Sequence, residues 1–492
     1  MPAVEAWEIA QSGRKYFSWS VFVFVCLGLG VIEGCSVGPK YTKPIAQTPP
    51  TYKEMGNWKP AAPSDDARKG KWWEIFQDPQ LNELEEKVTV SNQSLRAAQD
   101  QFLEARAQLR ISRSAQFPLV TVGSSITQQR QSLNRALARA TVPVNYSDFL
   151  ISGGDFSYEA DVWGRVRHIV ESSRAQAQAS AAELETVRLS LHAELALDYF
   201  TLRGLDAQKQ LFDSNVDAFQ KALDLTENRF NGGLASKEDV ELAATQLEQT
   251  KAQDIDLMSA RDQFEHAIAV LIGQPASTFN LSAAPMPAVP PPTPPGLPSE
   301  LLERRPDIAA AERQVASANA QIGVARAAYF PLITLGLTGG FESGAFTSWL
   351  AGPSGLWSLG GSALETVFDA GRRRAITDQA KAAYDGTVAN YQQTVLTSFQ
   401  QVEDSLSDLR ILEEEAKTQD AAVAAANRSL EQSTNRYKGG LDTYLTVITA
   451  QSAVLANERT AVSLLTRRMT SSVLLIKALG GGWDISKLPP VD

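Results

Sequence analysis

The chain is poor in residues that do chemistry. Its 492 residues hold two cysteines, three histidines and five methionines. The cysteines, Cys26 and Cys35, lie in or just beyond an apolar N-terminal run, and none follows. That excludes a disulfide framework and a thiolate metal site. The histidines, His168, His192 and His266, have no His or Cys partner at metal-ligand spacing, so they read as polar-face or packing residues. Basic charge is also in deficit, 46 Lys and Arg against 56 Asp and Glu for a net of −10. A nucleic-acid surface is therefore not expected. The two Gly-Gly turns lack the Lys-Ser/Thr of a phosphate loop. We expect no enzyme, no cofactor and no bound metal.

Long hydrophobic runs are missing as well. The apolar run Val21–Ile32 falls short of the ~20 residues of a spanning helix. Behind Arg14 and Lys15 it reads as an export signal over residues 1–34. It ends in Ile32-Glu33-Gly34-Cys35, which resembles a bacterial lipobox with Cys35 as the acylated residue and Ser36 favouring outer-membrane sorting. One lipid chain anchors only partly, so the rest of the chain should engage the membrane too.

What the sequence does have is a duplication. Phe117-Pro118-Leu119 recurs as Phe330-Pro331-Leu332, Trp163-Gly164-Arg165 as Ala370-Gly371-Arg372, and Arg229-Phe230-Asn231-Gly232-Gly233-Leu234 as Arg436-Tyr437-Lys438-Gly439-Gly440-Leu441. The boundaries follow: an extended strap over 35–78, a first repeat over 79–273, a proline-rich linker over 274–298, a second repeat over 299–480 and a tail over 481–492. Each repeat opens with a helix, about Pro79–Ala115 and Ser299–Tyr329.

Proline is absent from 165–230 and 372–437, with one internal glycine in each stretch, Gly204 and Gly386. Val395, Phe399, Val402, Leu406 and Leu409 form one helical seam, and Val462, Leu465, Met469, Val473 and Ile476 a second. These predict antiparallel hairpins over 165–273 and 372–479, whose single seams pack on each other. The Gly-Gly pairs stop the first helix, and Ser236 or Thr443 would cap the next. Strands are expected over about 118–129, 153–162, 331–341 and 356–368. Phe156, Tyr158, Ala160 and Val162 share one face and Asp155, Ser157, Glu159 and Asp161 the other. Likewise Ile333, Leu335, Leu337 and Phe341 oppose Thr334, Gly336, Thr338 and Gly340, and Trp357, Leu359 and Ala363 oppose Ser358, Gly360 and Ser362. Such lengths fit membrane strands, and the apolar faces lack a partner in the chain. Four strands cannot close a barrel, and lipid tolerates no open edge, so the chain must oligomerise, with a trimer favoured. The longer connection, around Gln131–Phe149 with Arg130, Arg135 and Arg139, and a second over Glu342–Leu356 with Trp349, should crown the outer mouth.

These residues resemble the TolC-like outer-membrane channel lipoproteins of bacterial tripartite efflux systems, in their NodT and OprM branch. The resemblance rests on Gly34-Cys35-Ser36-Val37-Gly38-Pro39-Lys40-Tyr41, on Trp72-Trp73 with Phe76, Asp78, Pro79 and Leu81, on Leu302 with Arg305-Pro306-Asp307-Ile308, and on Ala478-Leu479-Gly480-Gly481-Gly482-Trp483. It covers the chain from Cys35 onward. It implies an α+β membrane protein built from a duplicated strand and long-helical-hairpin unit. Three copies would form a 12-stranded outer-membrane β-barrel continuous with a periplasmic α-helical barrel. The implied partners are a homotrimer, a periplasmic adaptor, an inner-membrane RND-type pump and outer-membrane lipid. Arg229, Gly232, Gly233, Leu234, Arg436, Gly439, Gly440 and Leu441 would form the adaptor-docking tip. Relatives place carboxylate rings just beyond this turn; here Thr446 and Thr449 stand there, with Asp442 at the turn. The expected periplasmic gate is thus Asp442, Leu445, Thr446 and Thr449, closed by a Leu445 ring rather than by acids. The implied function is a passive exit duct for small molecules. A protein-secretion duct and a non-conducting, periplasm-spanning coiled-coil lipoprotein are the alternatives.

Overall fold

The computed structural model describes residues 36–55, 70–130, 132, 145–287, 289–291, 300–483 and 486. The expected signal segment, Cys35, Arg135 and Arg139 lie outside them. The order is α1 (Pro79–Ser91), α2 (Gln93–Ser114), β1 (Leu119–Arg130), β2 (Asn145–Glu159), α3 (Arg165–Asn231), α4 (Lys237–Leu271), α5 (Leu301–Arg304), α6 (Pro306–Ala327), β3 (Leu332–Ser343), β4 (Gly355–Leu364), α7 (Arg372–Lys438) and α8 (Tyr444–Ala478).

The opening helix of each repeat is divided. Asp78 caps α1, accepting from the Gln80 and Leu81 amides at 2.9 and 3.1 Å. At Asn92 the helix stops and restarts. Its side chain accepts from Leu95 N–H (2.9 Å) and donates to the Leu271 carbonyl (2.7 Å), which also pins the end of α4. In the second repeat the break falls before Pro306, which has no N–H to continue a helix.

Helices α3 and α7 are 67 residues each, and α4 and α8 are 35. At 1.5 Å per residue the long ones reach ~100 Å. The hairpins form, but the seams pair differently from expectation. Val395, Phe399, Val402 and Leu406 of α7 pack on Ile308 and Val315 of α6 and Leu475 of α8. Met469, Val473 and Ile476 of α8 turn instead to Tyr199, Phe200 and Leu202 of α3, with Trp72, Trp73 and Phe76. Periodicity shows that a helix has one apolar stripe; it does not say which neighbour covers it.

The four strands make one antiparallel sheet in the order β1-β2-β3-β4. Strand β2 begins at Asn145, well before the expected 153, and has 15 residues against 10 in β4. The extra length of the first strand pair therefore lies mostly in β2, and Asn145–Phe149 are strand rather than connection. An irregularity between Ser152 and Gly154 shifts the register. A methyl group on Gly340 would meet the Ile151 carbonyl oxygen and lie 3.0 Å from Ser152 Cα, so only glycine fits opposite the bulge. Among the described residues no helix is long and apolar enough to cross a membrane.

Candidate functional site

The two hairpin turns are built alike. Leu234 N–H reaches back to the Arg229 carbonyl (2.7 Å) and Leu441 N–H to that of Arg436 (2.9 Å). Gly233 and Gly440 take φ of +74° and +71°, which closes each helix as a glycine-dependent cap. Beyond the turns the copies diverge. Ser236 and Asp239 form a reciprocal capping box, each bond 3.1 Å. Thr443, expected to cap α8, makes no side-chain cap. Asp442, one residue before the cap, is the acceptor here instead: its Oδ1 accepts from the Thr443 amide and from Thr446 Oγ1, both 2.9 Å. The Thr446 hydroxyl, followed by the Thr443 amide and the Arg436 guanidinium, holds the Asp442 carboxyl below the usual carboxylate range.

The structure gathers the predicted tip residues and ties the hairpins through one of them. The Arg229 guanidinium lies over the Tyr437 ring at 4.7 Å, and its Nη1 donates to the Lys438 carbonyl at 3.3 Å. Behind it Tyr437 and Tyr444 pack ring to ring at 5.1 Å, both buried with Ala243 and Val447. Sequence reasoning missed these tyrosines; the visible signal was Tyr437 standing where the first repeat has Phe230. Of the expected gate residues, Thr446 is committed to Asp442, and Thr449 Oγ1 donates to the Leu445 carbonyl (2.9 Å). The side chains of Leu234, Leu441 and Leu445 are exposed and hold the apolar surface of the tip.

At the opposite end the duplicated motifs meet. Trp163 stacks on Phe330 at 4.8 Å, and its indole N–H donates to the Pro331 carbonyl (3.0 Å). The strap begins here, with Ser36 Oγ 2.8 Å from His168 Nε2 and Val37 N–H donating to the Trp163 carbonyl (3.2 Å). It then crosses the second repeat. Asn319 donates to the Pro39 carbonyl (3.1 Å), Tyr41 bonds Glu312, and Glu403 accepts from the Lys53 and Glu54 amides at 2.7 and 2.9 Å.

The sheet is two-faced. Cross-strand pairs put Val120, Phe156, Leu337 and Leu359 in one row and Thr121, Asp155, Thr338 and Ser358 in the next. Among the described residues the apolar face has no cover: Trp357 is 78% and Leu359 70% exposed. Among the described residues, strands β1 and β4 pair on one side only.

Two of the three histidines, His168 and His192, have local partners. His168 Nδ1 is 3.1 Å from Glu171 Oε2. His192 is buried against Trp73 at 4.5 Å with Glu85 Oε2 at 2.5 Å. Burial, then the Arg188 charge, presses the His192 pKa down to about 4, while burial raises Glu85 well above the carboxylate range. Among the described residues no group of three or more His, Cys, Asp or Glu could hold a metal ion.

Comparison with known proteins finds one family. Residues 84–274 and 297–481 match the profile described as Outer membrane efflux protein. The chain is 32% identical over 460 residues to the toluene efflux pump outer membrane protein TtgC of Pseudomonas putida, covering 92% of this chain and 94% of the relative. It is 30% identical to the outer membrane protein OprJ of Pseudomonas aeruginosa, covering 94% and 95%. The solved outer-membrane channel OprN superposes with a TM-score of 0.84 at 31% identity, over 91% of this chain and all of that one.

Proposed function

The chain belongs to the outer membrane efflux protein family, and from that premise we propose that it is the outer-membrane exit duct of a tripartite efflux pump. It conducts small molecules passively from the periplasmic pump and adaptor to the exterior. It carries out no bond chemistry and uses no cofactor. The observation that carries this reading is the single sheet, with its bare apolar face and two open edges, set on two ~100 Å helices. A bilayer covers the apolar face, and two more copies close the edges into 12 strands with a polar lumen. The same threefold arrangement sets the hairpins side by side as a helical barrel in the periplasm.

Three further assignments follow. Cys35 carries the acyl anchor; the residue after it, Ser36, bonds His168 close to the Trp163–Phe330 stack, which marks the junction of sheet and helices. The tip residues Arg229, Gly232, Gly233, Leu234, Arg436, Gly439, Gly440 and Leu441 dock the adaptor, which in turn engages the RND-type pump. The gate at Asp442, Leu445, Thr446 and Thr449 closes through apolar Leu445 side chains. Its support is that Asp442 is bonded to Thr446 and paired with Arg436 at 3.3 Å, leaving little free carboxylate at the constriction.

Conductance in planar bilayers tests the duct. Purified protein should give discrete single-channel steps; intact, membrane-inserted protein that never conducts would reduce it to a structural lipoprotein. Multivalent cations added on the periplasmic side test the gate. Weak block is expected, whereas block at low concentration would mean that a carboxylate ring lines the constriction after all.

A further inference from the structure

The connection between β3 and β4, residues 344–354, does not stand up above the sheet. It folds down as two short turns, Phe346–Ser348 and Gly352–Ser354. Hydroxyls hold it there: Ser343 Oγ lies 2.7 Å from Ser348 Oγ, and Ser354 Oγ donates to the Ser348 carbonyl at 2.7 Å. Aromatic rings fix its direction. Phe149 of β2 meets Phe346 and Trp349, each at 5.8 Å, and those two rings are 6.0 Å apart. Phe149 is paired with Ser343, and both belong to the face that carries Ile151 and Phe341. Both ties therefore bring the loop to the apolar face, not the polar one. It also leans toward its own β2, away from the β4 edge where the next copy would join. Phe346 and Leu350 remain bare at 68% and 66% exposure.

On the duct reading above, we propose that this loop is a foot resting in the outer leaflet of the bilayer rather than a cover for the mouth. Its occupant is lipid, because the patch is continuous with the apolar wall of the sheet and lies off the seam between copies. Aromatic side chains suit that depth, with an apolar body in the acyl region and an edge toward the headgroups. The second connection is thereby removed from the crown expected around the pore, and the exit on this side is left open.

Nitroxide labelling tests this in lipid vesicles. The chain past Cys35 has no cysteine, and a Cys35 carrying its acyl anchor has no free thiol, so the lipidated protein with Cys26→Ser accepts one label at a time, the parent without an added cysteine giving the background. Phe346→Cys and Leu350→Cys probe the foot; the second spares the ring cluster should the first loosen it. Leu359→Cys and Ser358→Cys report the two faces of the wall. We expect the oxygen-to-nickel-chelate collision ratio at 346 and 350 to match that at 359 and to exceed that at 358 several-fold. A ratio at 346 and 350 equal to that at 358 places the loop over water and overturns the foot. Low collision with both quenchers places a neighbouring copy there and overturns it equally. If 358 and 359 do not differ, the barrel wall itself fails, and the foot with it.

Discussion

The two internal glycines of the long helices sit in unlike surroundings, which makes each the other's control. A methyl group on Gly386 of α7 would touch nothing within 4 Å. Gly386→Ala should therefore show the plain helix-propensity gain, about 1 kcal/mol. On Gly204 of α3 the same methyl group would strike Thr466 Oγ1 of α8 and lie 2.8 Å from its Cγ2. Thr466 cannot turn aside cheaply. It is β-branched within a helix, and its hydroxyl donates to the Val462 carbonyl at 3.0 Å. Overpacking of this kind costs about 1–3 kcal/mol, which cancels or exceeds the propensity gain. The two variants should differ by about 1–3 kcal/mol, Gly386→Ala being the more stable. Unfolding of a protein this large is read best as a rate. The gap corresponds to an unfolding rate in detergent roughly 5- to 150-fold faster for Gly204→Ala, if the contact is lost in the transition state. Adding Thr466→Ala to Gly204→Ala should close most of it. Equal shifts for the two glycines, or no rescue by the double variant, would refute the close approach of α3 and α8.

Two further outcomes are expected. On the proposed duct reading, Gly340→Ala should abolish the membrane-inserted oligomer, measured by resistance to extraction, because its methyl group meets backbone at the β2 bulge; Gly360→Ala, with nothing within 4 Å, should assemble normally. Burial, then Glu194, raises the Asp198 carboxyl to about 6. A raised carboxyl gives its full stability below the unfolded value near 4 and withdraws it as pH rises through about 6. Asp198→Asn should therefore stabilise by about 1–2 kcal/mol at neutral pH, discounted for partial exposure, and by close to nothing near pH 4. An equal effect at both would contradict the burial argument.

Much of the architecture was legible because few physical patterns were involved. Long proline-free stretches ending in Gly-Gly define hairpins, and alternation over Phe156–Tyr158 and Ile333–Phe341 defines a two-faced sheet. The misreadings share a cause: each required knowing what lay opposite. The bulge at Ser152–Gly154 reverses parity, so that Phe149 and Ile151 join the face of Phe156 and Tyr158. Alternation counted back from Tyr158 falls out of phase there, which is why the expected strand starts near 153 rather than at Asn145. The expected partner of the α8 seam is α7, but its C-terminal part, Met469, Val473 and Ile476, packs on α3. At the tip, Thr443 sits at the cap position but makes no side-chain cap, and the adjacent Asp442 carboxylate, the stronger acceptor, takes the Thr443 amide and the Thr446 hydroxyl instead. The Arg229–Tyr437 tie joins residues more than 200 positions apart, and no local pattern announces it.

The strap places a condition on the order in which the molecule is completed. It is the first described segment to leave the site of synthesis, yet its partners include Glu312, Asn319, Glu403 and Arg410. Tyr52 is buried among Ile308, Val315 and Tyr391 of the second repeat. No seat exists for it until α6 and most of α7 have been made and folded. Closing so long a loop comes late, since its entropy must be spent before any contact forms. The earliest part of the chain thus locks last, and a seated strap certifies that both repeats are in place.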